Sequence, residues 1–273
     1  MPEDIERLLQ RRPDLSTFLV HLSRDSDVAG GQTARQNLIE MLKARRIVAR
    51  TAYGMARDLA AQDAEVSATQ RCVCFTETPL EQVWMMTREI DLRQIRLQPY
   101  GLAFTKVFGR RRGVNPVWYL DITPGHDWLT NAVNSLVEIS RRGESVSINS
   151  PPPDVTGALA KGPVPANDPI LQITPFIEQM GPIGGGSKKE FWWEREWRKV
   201  GDFTFSATYS HVVAAFVPEA DHDTFRNELA VALVKTLDWV ESKIPLLDPE
   251  WGLERMIARL AHVDDADVGP FTS

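Results

Sequence analysis

The sequence predicts an α+β fold, a single mixed domain over residues 1–273 with a central, mostly antiparallel sheet flanked by helices. Three observations carry this expectation. Short runs rich in β-branched and aromatic residues recur along the chain, as at 16–22, 71–76, 100–105 and 212–217. Segments with apolar residues at helical spacing fall between them irregularly, without the strict alternation of a doubly wound parallel sheet. The chain has 273 residues, 43% hydrophobic and 25% charged, enough to build a sizeable core.

The elements follow in order. Residues 1–12, with Ile5, Leu8 and Leu9, predict a short amphipathic helix stopped by Pro13. Residues 16–22 form a buried strand that ends at the polar turn Ser23 to Asp27. Leu38, Ile39 and Leu42 give helical spacing over 34–46, and 47–50 follow as a short strand. Residues 53–70 are Ala-rich and weakly helical, and 71–76 are the second strand. Pro79 suits the first turn of a helix running to Glu89, with Thr78 as its cap. Two further strands, 100–105 and 116–120, are separated by a turn-like stretch from Arg110 to Asn115. Asp127 caps a helix to Ser140. Residues 149–169, opened by Pro151-Pro152-Pro153, read as a long Pro-rich surface loop. Residues 184–187 (Gly-Gly-Gly-Ser) read as a flexible loop before the aromatic and charged segment 191–199. Strands at 203–205 and 212–217 precede a helix begun by Asp221 or Asp223 and carried to Val240. A last helix covers 251–261.

The bulk numbers exclude several classes. No stretch approaches the ~20 apolar residues of a membrane span, and the polar start is unlike a secretory signal. Cys72 and Cys74 are the only cysteines, and one strand would hold them on one side in poor geometry for a disulfide. Free thiols and a cytoplasmic setting are expected. Residues 1–150 carry 20 Lys and Arg against 18 Asp and Glu, whereas 151–273 carry 11 against 19. The balance is not that of a general nucleic-acid binder; Lys43, Arg45, Arg46, Arg50 and the run Arg110 to Arg112 are locally basic and read first as solvated surface charge, with a nucleic-acid-binding module as the alternative. The histidines have no ligand spacing, so no metal is expected. P-loop, dinucleotide-fingerprint and nucleophile-elbow motifs are missing.

Three stretches carry the candidate chemistry, and they are expected to line one cleft formed by His21 and Glu194/Glu196. His21 lies inside an apolar strand, where its ring is either a half-buried side chain with one partner or a ligand contact. Thr76 and Glu77 stand at a strand end, and Glu77 is free of the capping role assigned to Thr78. In an extended chain Glu194, Glu196 and Arg198 share one side. Trp192, Trp193 and Trp197 crowd these acids, so the carboxylates are either desolvated and raised in pKa or neutralised by a cation. The plainer alternative is cross-strand ion pairing on an exposed strand.

At these same residues the chain resembles AbiGi, an abortive-phage-resistance family. The likeness rests on Phe18 to Ser23, Cys74 to Leu80, Tyr100 to Phe104, Asn115 to Leu120 and Glu194 to Arg198. It implies a phage-defence protein of toxin–antitoxin type whose partner is a cognate toxin or antitoxin. A more distant likeness is to DarT-type ADP-ribosyltransferases, through His21, Asn37-Leu38 and a late-strand Glu. It implies a split central sheet, NAD as cofactor and nucleic acid or protein as acceptor. On that resemblance His21, Thr76, Glu77 and Arg198 bind the cofactor. Glu196 polarises the ribose hydroxyl with His21 as its catalytic companion, and Glu194 orients the acceptor.

Overall fold

The computed structural model describes residues 14–26, 30–50, 55–61, 64–90, 95–141, 167–206, 211–233 and 244–263. The expected helix at 1–12, most of the Pro-rich loop and the helical stretch beyond Leu233 lie outside these residues. The fold is α+β with a large, mostly antiparallel sheet and smaller ones beside it. In chain order the first strands are β1 (Phe18–Leu22), β2 (Arg46–Ile47), β3 (Cys72–Thr76), β4 (Gly101–Thr105), β5 (Asn115–Pro116) and β6 (Trp118–Asp121). They continue as β7 (Ile177–Gly184), β8 (Ser187–Lys189), β9 (Glu196–Val200), β10 (Phe203–Thr204), β11 (Val212–Phe216) and β12 (Leu246–Leu247).

The chain divides into two compact units built from separate stretches. One comprises Met1–Ile47, Phe75–Gly113 and Phe203–Ser273, the other Val48–Cys74 and Val114–Asp202, so the boundary falls inside β3.

In the first unit the strand order is β12, β11, β4, β1 and the end of β3. β1 pairs antiparallel with β4 over five residues, from Phe18 opposite Thr105 to Leu22 opposite Gly101. Leu102, Ala103 and Phe104 are fully buried, as the continuous apolar run of β4 requires. The Phe104 ring meets those of Phe203 and Phe205 edge-on, with centroids 5.0 and 5.2 Å away. Phe75 and Phe108 complete this aromatic core. The helix Ala34–Ala44 buries Ala34, Leu38, Ile39 and Leu42 at the spacing read from the sequence. Its start is a capping box: Thr33 Oγ1 accepts from the Gln36 N–H at 3.2 Å, and Gln36 Oε1 accepts from the Thr33 N–H at 2.9 Å. The helix stops at Arg45, which takes the left-handed conformation with φ 51°.

Two local expectations change in this unit. Thr78 does not cap the following helix. Pro79 is the boundary residue of a short 3-10 turn, Leu80–Gln82, and a helix Trp84–Thr87 follows. The Thr78 hydroxyl is instead shared with Thr76 at 2.7 Å, so the backbone turns through a side-chain pair before the helix starts. Residues after β4 form the helix Lys106–Arg111, capped by Thr105, where a turn was expected only from Arg110.

Gly101 is the tightest point of the β1–β4 pair. A Cβ there would lie 2.4 Å from the His21 carbonyl oxygen and 2.9 Å from a Leu22 methyl. The first obstacle is backbone, which cannot step aside without breaking the ladder. Gly101→Ala is expected to destabilise the protein by roughly 2 kcal/mol or more, read as a lower urea midpoint at unchanged slope. An unshifted midpoint would show that the strands part freely here.

In the second unit β9 lies beside the Cys72–Cys74 end of β3 and pairs antiparallel with β5. A separate sheet joins β6 parallel to β7 and β7 antiparallel to β8. Met55, Leu59, Val66, Leu120, Val137 and Ile177 form its apolar core. The fully buried Gln70 is satisfied there: its amide donates to the Leu171 carbonyl at 3.0 Å, and its oxygen accepts from Thr174 at 2.8 Å. The Gly-rich stretch is a two-residue hairpin turn between β7 and β8. Gly185 and Gly186 take φ 60° and 80°, the positive values such a turn needs and glycine adopts without strain.

Candidate functional site

His21, Thr76 and Glu77 belong to the first unit. His21 is half-buried on β1, opposite Leu102, with its ring edge-on to Phe75 at 5.8 Å. Thr76 is buried at the end of β3, and its Oγ1 also accepts from the Thr78 N–H at 3.1 Å. Glu77 is 7% exposed, and its carboxylate accepts from Lys106 Nζ at 2.5 Å. The acid left without a capping role is therefore ion-paired, its charge balanced by a lysine from the helix that follows β4.

The same unit holds an open polar cleft of about 510 Å3 that includes none of the candidate residues. Asp25, Thr33, Arg35, Gln98, Tyr100 and Glu228 contribute to its wall. These groups bond to neighbours. Asp25 accepts from the Ala34 N–H at 2.8 Å, and Arg35 donates to Glu228 at 2.5 Å. The Tyr100 hydroxyl donates to Asp221. Burial and that carboxylate hold the phenol well above its ordinary pKa.

Glu194, Glu196 and Arg198 belong to the second unit, where the expected extended run is broken. Phe191–Glu194 is a 3-10 turn, and Arg195 takes φ 47°. β9 starts only at Glu196. Glu194 therefore does not share a strand face with the other two, because one left-handed residue resets the chain direction before the strand begins. Glu196 and Arg198 do share a face, as the two-residue period demands.

Arg198 is the centre of this group. It is 1% exposed, the largest of the fully buried side chains. Its Nε donates to Glu196 Oε1 at 2.9 Å and its Nη2 to Glu196 Oε2 at 2.8 Å, a bidentate pair. Nη2 also donates to Glu178 Oε2 at 2.5 Å, and Nη1 to the Pro175 carbonyl at 2.9 Å. Lys189 donates to the other oxygen of Glu178. Two cations and two carboxylates thus balance. Burial is the largest single influence and would lower the Arg198 pKa, but the charges and hydrogen bonds of Glu196 and Glu178 and the nearby Cys74 together push the guanidinium up. The Tyr119 hydroxyl accepts from the Glu196 N–H at 3.1 Å. Burial and the nearby Glu196 charge raise the Tyr119 pKa.

Of the three tryptophans expected to crowd the acids, Trp192 is 56% exposed, and Trp193 and Trp197 are half-buried. Of the two alternatives for the acids, a neutralising cation is the one found at Glu196. Cys72 and Cys74 are free thiols with their sulfurs 3.9 Å apart. The hydrogen bond between them, aided by the Arg198 charge and opposed by burial, lowers the pKa of Cys72. The same bond, with burial, raises that of Cys74.

Sequence reasoning missed Glu178, Lys189 and Tyr119. Glu178 left one signal, a lone carboxylate in the stretch Ile177–Gly184, where Gln179 is the other polar side chain, and a buried carboxylate there calls for a cation. Lys189 and Tyr119 left none, since each meets its partner across a pairing the sequence does not announce.

Among the described residues no group of three or more His, Cys, Asp or Glu is arranged to hold a metal ion, and no helix is long and apolar enough to cross a membrane. No family model, curated protein or solved structure matches the chain.

Proposed function

We propose that the chain is a cytoplasmic phage-defence protein of abortive-infection, toxin–antitoxin type that acts by binding a partner. The phage-defence part rests on the resemblance of the ordered segments from Phe18 to Arg198 to AbiGi proteins. One observation favours binding over catalysis: both oxygens of Glu196 accept from a guanidinium that is 1% exposed. A carboxylate that polarises a sugar hydroxyl has to offer an oxygen to the ligand as charge develops. This carboxylate is committed to its own chain.

Transfer of ADP-ribose from NAD to nucleic acid or protein is the second reading. It is favoured by the half-buried place of His21 on β1 beside the Phe75 ring. The test has two arms. The locus with its flanking genes is expressed in bacteria challenged with phage, and the purified chain is incubated with NAD labelled in its adenosine half together with RNA, DNA and cell protein. Reduced plaque formation with no label transfer is expected. Label transfer that His21→Ala abolishes would replace binding by catalysis, and plaque counts equal to those of an empty vector would end the phage-defence reading.

A further inference from the structure

Cys72 and Cys74 stand two residues apart on β3, so their side chains share one face of the strand, and Val73 and Phe75 occupy the other. Their sulfurs are 3.9 Å apart. Cys72 is 5% exposed and Cys74 is half-buried, so the pair meets solvent at Cys74. Both belong to the second unit, as does Arg198, whose charge acts on each thiol in favour of the thiolate. The whole chain has these two cysteines and no others.

We propose that Cys72 and Cys74 form a two-sulfur site for monovalent copper. Their spacing selects a bridging atom over a direct bond. Cβ atoms on one face of a strand recur about every 6.7 Å. A disulfide needs them at about 3.5–4.5 Å, with its sulfurs about 2 Å apart. Closing one here would pucker β3 out of its sheet. A metal with two bonds to sulfur of about 2.3 Å each holds the sulfurs about 3.8 Å apart at a tetrahedral angle and about 4.6 Å apart in line. The observed 3.9 Å falls inside that span, so small side-chain rotations admit the ion.

The number of donors selects which ion. Structural zinc takes four ligands, and among the described residues no group of three or more His, Cys, Asp or Glu is placed to hold a metal. Glu196 and Glu178, whose charges reach Cys72, are engaged by Arg198. Magnesium and calcium take oxygen ligands. Monovalent copper is soft, favours thiolate and is satisfied by two donors. On binding, each thiol releases its proton to solvent and each sulfur gives one electron pair to the ion, with no change of oxidation state. Cysteines also serve as small apolar side chains, but that role does not ask for sulfur at both positions.

This proposal stands apart from the partner-binding reading, and its test reads neither plaques nor label transfer. The full chain, reduced and kept free of oxygen, is titrated against the coloured copper(I) complex of bicinchoninate. Withdrawal of one copper per chain is expected, together with the ultraviolet absorption of a copper–thiolate bond. Cys72→Ser and Cys74→Ser, checked for unchanged circular dichroism, are each expected to weaken binding more than about 100-fold, past the roughly 10–100-fold that follows loss of a residue merely supporting a ligand. X-ray absorption at the copper edge reads the ligands in the loaded wild-type chain without any substitution, and two sulfur neighbours are expected. No withdrawal of copper from the chelator, copper retained by both serine variants, or fewer than two sulfurs around the ion would overturn the proposal.

Discussion

Replacing Arg198 with Met is expected to cost about 3–5 kcal/mol of folding stability, among the largest losses any single substitution here can produce. The side chain is 1% exposed and neutralises Glu196 and Glu178, which are 15% and 6% exposed. Methionine fills much of the same volume, so a cavity is a minor part of the effect. The main part is electrostatic, because buried Glu178 keeps only Lys189 and half-buried Glu196 loses its bidentate guanidinium. The Pro175 carbonyl loses a donor as well. Urea unfolding measures the loss directly. The companion experiment adds Glu196→Gln to Arg198→Met, which removes the charge left without its cation and is expected to recover part of the stability. The two changes are therefore strongly non-additive. If Arg198→Met costs under about 1 kcal/mol, the group is solvated and its ion pairs behave like surface ones.

Phe104→Ala is expected to destabilise the protein by a similar ~3–5 kcal/mol, for a different reason. Phe104 is fully buried on β4, and its ring contacts those of Phe203, Phe205 and Phe75 at centroid distances of 5.0, 5.2 and 6.1 Å. Truncation leaves a void among rigid rings that cannot collapse into it without tilting β10 or β4. Phe104→Leu keeps most of the volume and is expected to cost appreciably less. Equal losses for the two substitutions would assign the effect to specific ring geometry, and a small loss for Ala would mean that the neighbours close the gap.

The main strands and the first long helix are legible in the order of amino acids alone. FLVHL, CVCFT, GLAFT and VVAAF are dense in β-forming side chains, and Leu38, Ile39 and Leu42 mark an amphipathic helix. These features act within a few residues of chain, so local pattern suffices to read them. The pairing of Glu196 with Arg198 was legible for the same reason, since residues two apart on a strand share a face. Glu194 was misplaced because the left-handed turn at Arg195 is held by its surroundings and not by any local preference of arginine for that conformation.

What each charged group does depends on the packed chain. The carboxylate of Glu178 reaches Arg198 from a strand 20 positions earlier, and Lys106 reaches Glu77 from 29 positions later. Hydrophobic periodicity fixes which face of an element turns inward. Which buried acid meets which buried base depends on strand order and register, and these are properties of the whole packed chain.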